Sequence, residues 1–180
     1  MKSEDLRPTP GTIIFSNRSD SLLGKAVSES ATAQNPIRFN HVGIAANYRM
    51  VIHSTSESGV VIESLEDFLK GTDCWTLKSI HDARVAARGL ARAYSQIGRP
   101  YNRTYYQKQA GLYCSELVTE CYLRVNGERY FDLEPMNFRD KDGEVLSYWL
   151  DYYKRIRVAI PENIPGSHPN GLYLQNEKYR

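Results

Sequence analysis

The stretch YCSELV, residues 113–118, begins an apolar pattern with helical spacing, after a segment that contains proline and glycine breakers. The pattern predicts a helix that starts at Cys114 and is ended by Gly127. One stripe of this helix carries Cys114, Leu117, Val118, Cys121, Tyr122 and Val125. A thiol at the start of a helix meets unpaired backbone N–H groups and the positive end of the helix dipole. We therefore expect the pKa of Cys114 to lie below the usual value of about 8.5, which would make this thiol reactive.

The other two cysteines lack this setting. Cys121 lies two turns inside the same predicted helix, and Cys74 precedes a predicted strand. The three cysteines form no Cys-x-x-Cys pair, and an odd number cannot form a closed set of disulfides. The alternative interpretation is that Cys114 is a small buried residue of the apolar stripe, which is a common place for a free cysteine.

Short runs rich in β-branched residues predict the strands of the chain. Five strands are predicted at residues 11–16, 41–46, 50–54, 59–63 and 75–80. Short loops separate the middle three strands, which favours an antiparallel meander. A further strand is predicted at 155–160, and a proline-rich tail at 161–180 is expected to wrap the surface.

Four more helices are predicted from apolar spacing and capping residues. They cover residues 20–28 with Ser19 or Asp20 as the cap, 64–69 with a capping box of Ser64 and Asp67, 83–97, and 144–153. The polar residues 29–40 are expected to form a loop. Together these elements predict one mixed α+β domain with an antiparallel sheet over residues 1–180, with its core at 11–160.

Charge and apolar content exclude several classes of protein. The 180 residues carry 23 Lys plus Arg and 21 Asp plus Glu, and no block of like charge indicates binding to nucleic acid or to a membrane surface. The longest apolar runs are only a few residues, too short for a transmembrane helix. The start, MKSEDLRP, has no apolar stretch typical of a signal peptide. The sequence is compatible with a cytoplasmic protein, or with an envelope or periplasmic protein whose leader was removed.

A reactive cysteine needs a base, and histidine is the usual base near neutral pH. His41 opens a predicted strand, and His53 lies in the next one. A hairpin register centred on Tyr48 places both histidines on one face of the sheet, as diagonal neighbours within side-chain reach. We expect His53, rather than Glu57 or Glu63, to accept a hydrogen bond from His41.

Two alternatives remain for these histidines. In the first, His53 is a strand residue without a role. In the second, His41, His53 and Cys114 bind zinc, although the sequence offers no evident fourth ligand. The prediction that we retain contains no metal and no cofactor.

Five short motifs follow one another in a fixed order: GTIIF at 11–15, HVGI at 41–44, VIHST at 51–55, GRPYN at 98–102 and YCSELV at 113–118. In this order they resemble the YiiX-like group, circularly permuted members of the NlpC-type, papain-like cysteine peptidase superfamily. Lecithin retinol acyltransferase is a distant relative with the same permuted order. The resemblance covers residues 11–125. It implies a papain-like core in which a cysteine-bearing helix packs on a small antiparallel sheet or barrel.

Carried over onto this chain, the resemblance implies that Cys114 is the nucleophile and His41 the general base. The third position falls on His53, where the family often has Glu and the acyltransferase branch has His. Thr12 is a second departure, at a position where the group often has Asp.

The resemblance implies a hydrolase, a cysteine amidase or peptidase of the thiol-protease kind. Such an enzyme would act through an acyl-thioester on amide bonds of cell-wall peptides or small amino-acyl substrates. The second hypothesis is a lipid acyltransferase or thioesterase of the lecithin retinol acyltransferase type; an exposed apolar patch would favour it, and the sequence shows none. The third is a non-catalytic binding module of the same fold, against which the presence of both Cys114 and His41 argues. The expected partners are small peptide, amino-acyl or lipid substrates, and the oligomeric state is not predicted.

Overall fold

Five antiparallel strands form the main sheet of the computed structural model, which describes residues 7–18, 21–30 and 39–178. The strands are β1 (Ile13–Arg18), β2 (His41–Ala45), β3 (Met50–Thr55), β4 (Gly59–Ser64) and β5 (Thr72–Lys78). Their order across the sheet is β4-β3-β2-β1-β5. The first five predicted strands are confirmed, with their ends shifted by a few residues.

Helices flank this sheet on both faces. In the described part of the chain they are α1 (Leu22–Glu29), α2 (Leu65–Leu69), α3 (Ala83–Gln96), α4 (Cys114–Cys121), α5 (Ser147–Ile156) and α6 (Pro169–Lys178). Two short strands, β6 (Glu134–Pro135) and β7 (Pro165–Gly166), pair with each other. None of the helices in the described ranges has the length and apolar content that crossing a membrane requires.

The two faces of the sheet contact different helices because side chains alternate along each strand. On one face the main core packs against α4 and includes Val42, Ile44, Ile52, Leu117 and Val118. On the other face Phe68 of α2 packs against the rings of His41 and His53. The predicted histidines therefore lie on the α2 face, at the end of the sheet where α4 begins.

Two helix starts follow the capping patterns in the sequence. Ser64 Oγ accepts a hydrogen bond from the Asp67 N–H at 3.0 Å, which caps α2 as predicted. Asp82 Oδ1 accepts from the Arg84 N–H at 2.8 Å and caps α3.

The cap of α1 differs from the prediction. Ser21 Oγ accepts a hydrogen bond from the Gly24 N–H at 2.9 Å, so the helix starts later than predicted. The predicted caps, Ser19 and Asp20, lie outside the described residues, and so do residues 31–38 of the predicted loop.

The helix that begins at Cys114 is shorter than predicted. It ends at Cys121, and Val125 is 63% exposed instead of lying on the buried stripe. The chain reverses in a tight turn in which Gly127 has a φ of +88°, a left-handed backbone that glycine adopts at little cost. Asn126 and Gly127 are a favoured turn pair, and this local preference outweighs the apolar spacing.

The predicted strand at 155–160 is wrong, because α5 continues to Ile156. Trp149 and Tyr153 are buried in an aromatic cluster, and Ile156 packs against the same cluster one turn later. This helical spacing overrides the β-branched composition of the segment. Arg157 ends the helix in a left-handed conformation, with a φ of 58°.

The segment 161–180 does not simply wrap the surface as predicted. Pro169 begins α6, a position at which the missing N–H of proline costs nothing. Leu172 is 1% exposed and belongs to the main core. The ring of Tyr173 packs edge to face on Phe15, with centroids 5.6 Å apart. The core therefore extends beyond residue 160.

We expect Leu172→Ala to lower the free energy of unfolding by about 2–5 kcal/mol, because the substitution leaves a cavity in the main core. Leu150→Ala on α5 is the matched control, since Leu150 is 52% exposed. The control should change the free energy of unfolding by less than about 0.5 kcal/mol. Denaturant unfolding of both variants measures the difference, and two equally small effects would show that α6 contributes nothing to the core.

Candidate active site

The candidate active site lies where β2 and β3 stop pairing. Their last pair is Gly43 with His53, whereas β2 stays paired with β1, and β3 with β4, beyond this point. The chain that leads into α4 enters the gap, because Ser54 Oγ donates a hydrogen bond to the Leu112 carbonyl at 2.6 Å. Cys114 therefore starts α4 at the opening between the two strands.

The sulfur of Cys114 is surrounded by backbone N–H groups, those of Val42, Ser115 and Cys114 itself. These groups and the Arg18 guanidinium lower the pKa of the thiol, but burial has the larger effect and raises the pKa to about 11. The expected depression of this pKa is therefore not found. The helix start offers the favourable N–H groups, but it is buried, and little water reaches the sulfur to solvate a thiolate.

The two predicted histidines contact each other directly. His41 Nε2 lies 2.8 Å from His53 Nδ1, and the rings meet edge to face. This is the same-face arrangement that the predicted register gives, since Gly43 pairs with His53. His53 has no exposed surface, so water does not compete for the contact.

Glu63 continues this chain of polar contacts from β4. Its Oε1 lies 2.8 Å from His53 Nε2. The contact with His53 is the largest influence on Glu63 and holds the pKa of this carboxyl below its ordinary value, although neither Glu63 Oε1 nor His53 Nε2 has a hydrogen-bond partner of good geometry. The carboxylate is therefore ionised at neutral pH.

The sequence reasoning set Glu63 aside, although a signal was present. The β3–β4 hairpin turns at residues 56–58, and its register pairs Val51 with Glu63. Val51 and His53 share a face of β3, so Glu63 lies on that face as well. Hairpin register places His53 beside His41. The same reasoning, applied to the β3–β4 hairpin, also places Glu63 on this face.

The carboxylate fixes the protons of both rings, because an ionised carboxylate only accepts hydrogen bonds. A lone pair on His53 Nε2 would be repelled by the carboxylate 2.8 Å away, so this nitrogen carries the proton and Nδ1 is left as an acceptor. His41 must then donate from Nε2, which leaves its Nδ1 without a proton. His41 and Cys114 line the same cavity, so this free Nδ1 is the base available to the thiol.

The resting pair of thiol and imidazole is neutral. Burial lowers the pKa of His41 well below 6.5, and the nearby His53 and Arg18 lower it further. Since burial also raises the pKa of Cys114, neither group is charged at pH 7. The arrangement favours transfer of the thiol proton to His41 during attack, rather than a thiolate–imidazolium pair formed beforehand.

A cavity of about 350 Å³ opens beside Cys114 and His41. Much of its wall is apolar and comes from α1, α5 and the segments around α4: Leu23, Val27, Tyr101, Tyr105, Tyr113, Phe138 and Trp149. These residues are far apart in the sequence, so no contiguous apolar run could have revealed the wall. Its polar lining includes Arg18 and Glu57.

The zinc alternative does not fit the donors of this site. The nitrogens of His41 and His53 that face each other form a hydrogen bond, and the second His53 nitrogen faces Glu63. Residues 7–18, 21–30 and 39–178 contain no group of three or more His, Cys, Asp or Glu side chains placed to hold a metal ion. The facing nitrogens are therefore engaged with each other and are not free to bind a metal ion.

Residues 7–177 match the family described as permuted papain-like amidase enzyme, YaeF/YiiX, C92 family. The chain belongs to this family. Among solved structures, the crystal structure of metalloprotein YiiX from Escherichia coli O157:H7 is similar, with a TM-score of 0.74 and 18% identity over 92% of each chain. That likeness shows a shared fold. The search of curated proteins gave no match.

Membership of the permuted papain-like amidases confirms the predicted fold class and the predicted enzyme class. The chain is a cysteine peptidase or amidase, a hydrolase. The family is one of enzymes, which argues against the hypothesis of a non-catalytic binding module. The substrate and the roles of Cys114, His41, His53 and Glu63 are not given by the family name and are proposed below.

We expect the alkylation of Cys114 by iodoacetamide to accelerate with pH through pH 10, because only the thiolate reacts and burial raises its pKa to about 11. Peptide mapping by mass spectrometry separates Cys114 from the partly exposed Cys74. A rate that levels off below pH 8.5 would instead reveal a preformed thiolate–imidazolium pair.

We expect Glu63→Gln to slow acylation of Cys114 by p-nitrophenyl acetate about tenfold to a hundredfold. The amide removes the negative charge, and because it can also donate, it no longer imposes one tautomer on His53. Glu66→Gln on the exposed side of α2 is the matched control and should leave the burst rate unchanged. An unchanged rate in Glu63→Gln would show that Glu63 is only a strand residue.

Proposed function

We propose that this chain hydrolyses an amide bond of a small acyl-amine substrate through an acyl-thioester on Cys114. One observation carries the proposal: Cys114 and His41 share a cavity, and His41, His53 and Glu63 form an unbroken line of contacts of 2.8 Å each. In such a line every proton position is set, and His41, which lines the same cavity as Cys114, is left with an unprotonated Nδ1.

The reaction begins with attack of the Cys114 sulfur on the amide carbonyl while its proton moves to His41 Nδ1. The carbon–nitrogen bond then breaks, and His41 returns the proton to the leaving amine. Water attacks the thioester with His41 as base, which releases the acid and restores the thiol. During each charged stage His53 accepts the hydrogen bond of the imidazolium, and Glu63 stabilises the positive charge from the far side of His53.

Backbone N–H groups supply the other requirement of acyl transfer, a site for the oxyanion. The N–H groups of Val42 and Cys114 surround the sulfur and lie at a rigid strand and a rigid helix start. In this proposal they donate to the carbonyl oxygen as negative charge develops on it. Because both belong to ordered backbone, they need no rearrangement when charge develops.

The size of the cavity supports small substrates. A volume of about 350 Å³ lies near the lower end of ligand pockets and holds a dipeptide or an acylated amino acid. Fragments of cell-wall peptides and small amino-acyl amides are the substrates that we propose. The YiiX relative is named a metalloprotein. The described residues of this chain offer no group of side chains placed to hold a metal ion, and no step of this mechanism uses one.

Lipid acyl transfer or thioester hydrolysis is the second candidate, and the apolar cavity wall favours it. Tyr101, Tyr105 and Tyr113 stand beside Cys114, and the Tyr105 ring contacts Trp149. A wall of this kind accepts an acyl chain as well as an apolar side chain. Both candidates form an acyl-thioester on Cys114. They differ in the acyl donor that forms the thioester and in the acceptor that removes the acyl group.

The proposal predicts a covalent adduct on Cys114 when the protein meets its substrate. Incubation with a panel of peptidoglycan fragments, amino-acyl amides and lipid esters, quenched with acid, should give an intact mass raised by the acyl group. Cys114→Ala should abolish the adduct and reduce turnover by at least about a thousandfold. Cys74→Ala is the matched control and should retain both. Adducts formed only by lipid esters would favour the second candidate, and the absence of any adduct would refute both.

A further inference from the structure

Arg18, the last residue of β1, places a positive charge beside the proposed base. Its guanidinium lies 5.8 Å from the centre of the Phe68 ring, and that ring also packs against His41. Arg18 lines the cavity together with His41 and Cys114. Its charge acts on both, since it contributes to the lowered pKa of His41 and opposes the raised pKa of Cys114.

This charge forms no ion pair among the described residues, although it lies close enough to Glu63 to help lower the pKa of that carboxyl. Arg18 Nη2 donates to the carbonyls of Phe68 at 3.0 Å and Asp67 at 3.4 Å, and its buried Nε has no hydrogen-bond partner. Among the residues that the structure describes, no carboxylate forms an ion pair with Arg18. A partly buried guanidinium with no carboxylate at ion-pair distance is only weakly compensated, which favours a further anion beside it.

The backbone holds Arg18 firmly in this place. The Asn40 side chain accepts a hydrogen bond from the Arg18 N–H at 2.9 Å and donates one to the Arg18 carbonyl at 2.8 Å. Asn40 directly precedes His41, so the same side chain sets the distance between the arginine and the base. This is the preorganisation that a specific ligand contact requires.

We propose that Arg18 binds a carboxylate on the leaving amine, which makes the substrates N-acyl amino acids or short peptides with a free carboxylate next to the scissile amide. The inference rests on the proposed amide hydrolysis. The leaving nitrogen must lie at His41, which returns the proton to it, and Arg18 lies beside His41 on the α2 face. The acyl part then points along the aromatic wall on the α4 side. Because Nη2 donates to the α2 carbonyls and Nε is buried, Nη1 is the nitrogen that donates to the substrate carboxylate in this assignment.

The chemistry balances with water as the only co-reactant. The amide carbon–nitrogen bond breaks, the amino acid leaves with the proton that His41 took from Cys114, and its carboxylate remains ionised throughout. Water then converts the thioester to the free acid and restores the thiol. Arg18 forms no bond to the reacting atoms and serves as a positioning residue.

The test compares matched substrates that differ only in charge. Acetyl, hexanoyl and phenylacetyl derivatives of L-alanine and of L-alaninamide form three pairs with the same scissile amide. We expect wild-type protein to hydrolyse the carboxylate member of at least one pair about tenfold to a hundredfold more efficiently, mainly through a lower KM. This ratio needs no variant, and a ratio near one in every pair, or no hydrolysis of any carboxylate member, overturns the inference.

Variants then assign the ratio to Arg18. Arg18→Gln should bring the ratio close to one by weakening only the carboxylate member, and Arg18→Lys should retain part of it. Arg88→Gln on the exposed face of α3 is the matched control and should keep the full ratio. If Arg18→Gln weakens both members equally, Arg18 only supports α2 or His41, and the inference is overturned. If neutral amides form acyl adducts on Cys114 and carboxylate substrates are not preferred, this inference is overturned and the proposed function stands.

Discussion

An ionised carboxylate cannot donate a hydrogen bond, and this constraint at Glu63 governs the candidate site. The negative charge 2.8 Å away favours a proton on His53 Nε2, the unprotonated His53 Nδ1 then accepts from His41 Nε2, and His41 Nδ1 is left without a proton. Two imidazoles in series orient a base more weakly than a carboxylate in direct contact with it would. They nevertheless connect the negative charge on β4 to the proposed base on β2. The sheet supplies the spacing, because neighbouring strands keep diagonal side chains within reach.

The separation of β2 and β3 is the second requirement, and it resolves a geometric conflict. The histidines lie on the α2 face, whereas α4 packs on the other face, so an intact sheet would keep the proposed base and the proposed nucleophile apart. Pairing stops at Gly43 and His53, and the segment held by the Ser54–Leu112 hydrogen bond occupies the gap. Cys114 thereby meets the backbone of Val42, the neighbour of His41. Burial at this junction keeps both reacting groups neutral until a substrate arrives.

The correctly predicted parts of the fold are those that short-range sequence patterns determine. Hairpin strands, the Ser64 cap and the pairing of Gly43 with His53 follow from short loops and alternation, which neighbouring residues determine. One error was local: α4 ends early because the turn preference of Asn126 and Gly127 outweighs the apolar spacing. The others arose where distant contacts decide, and α6 forms because Leu172 fits the main core. The lowered thiol pKa was wrong for the same reason, since burial depends on the whole tertiary structure and the helix start alone does not reveal it.

The cavity is closed by segments from opposite ends of the chain, and this has a consequence for biosynthesis. His168 Nε2 contacts the Val27 carbonyl at 2.9 Å, and the Ser167 N–H donates to the Tyr113 hydroxyl at 3.1 Å. A ribosome makes residue 27 long before residue 168, and contacts this distant in sequence form slowly. A nascent chain therefore carries a cysteine helix without a finished substrate pocket. The substrate pocket is therefore finished only after residue 168 has been made, which keeps a growing chain from capturing acyl groups before it can release them.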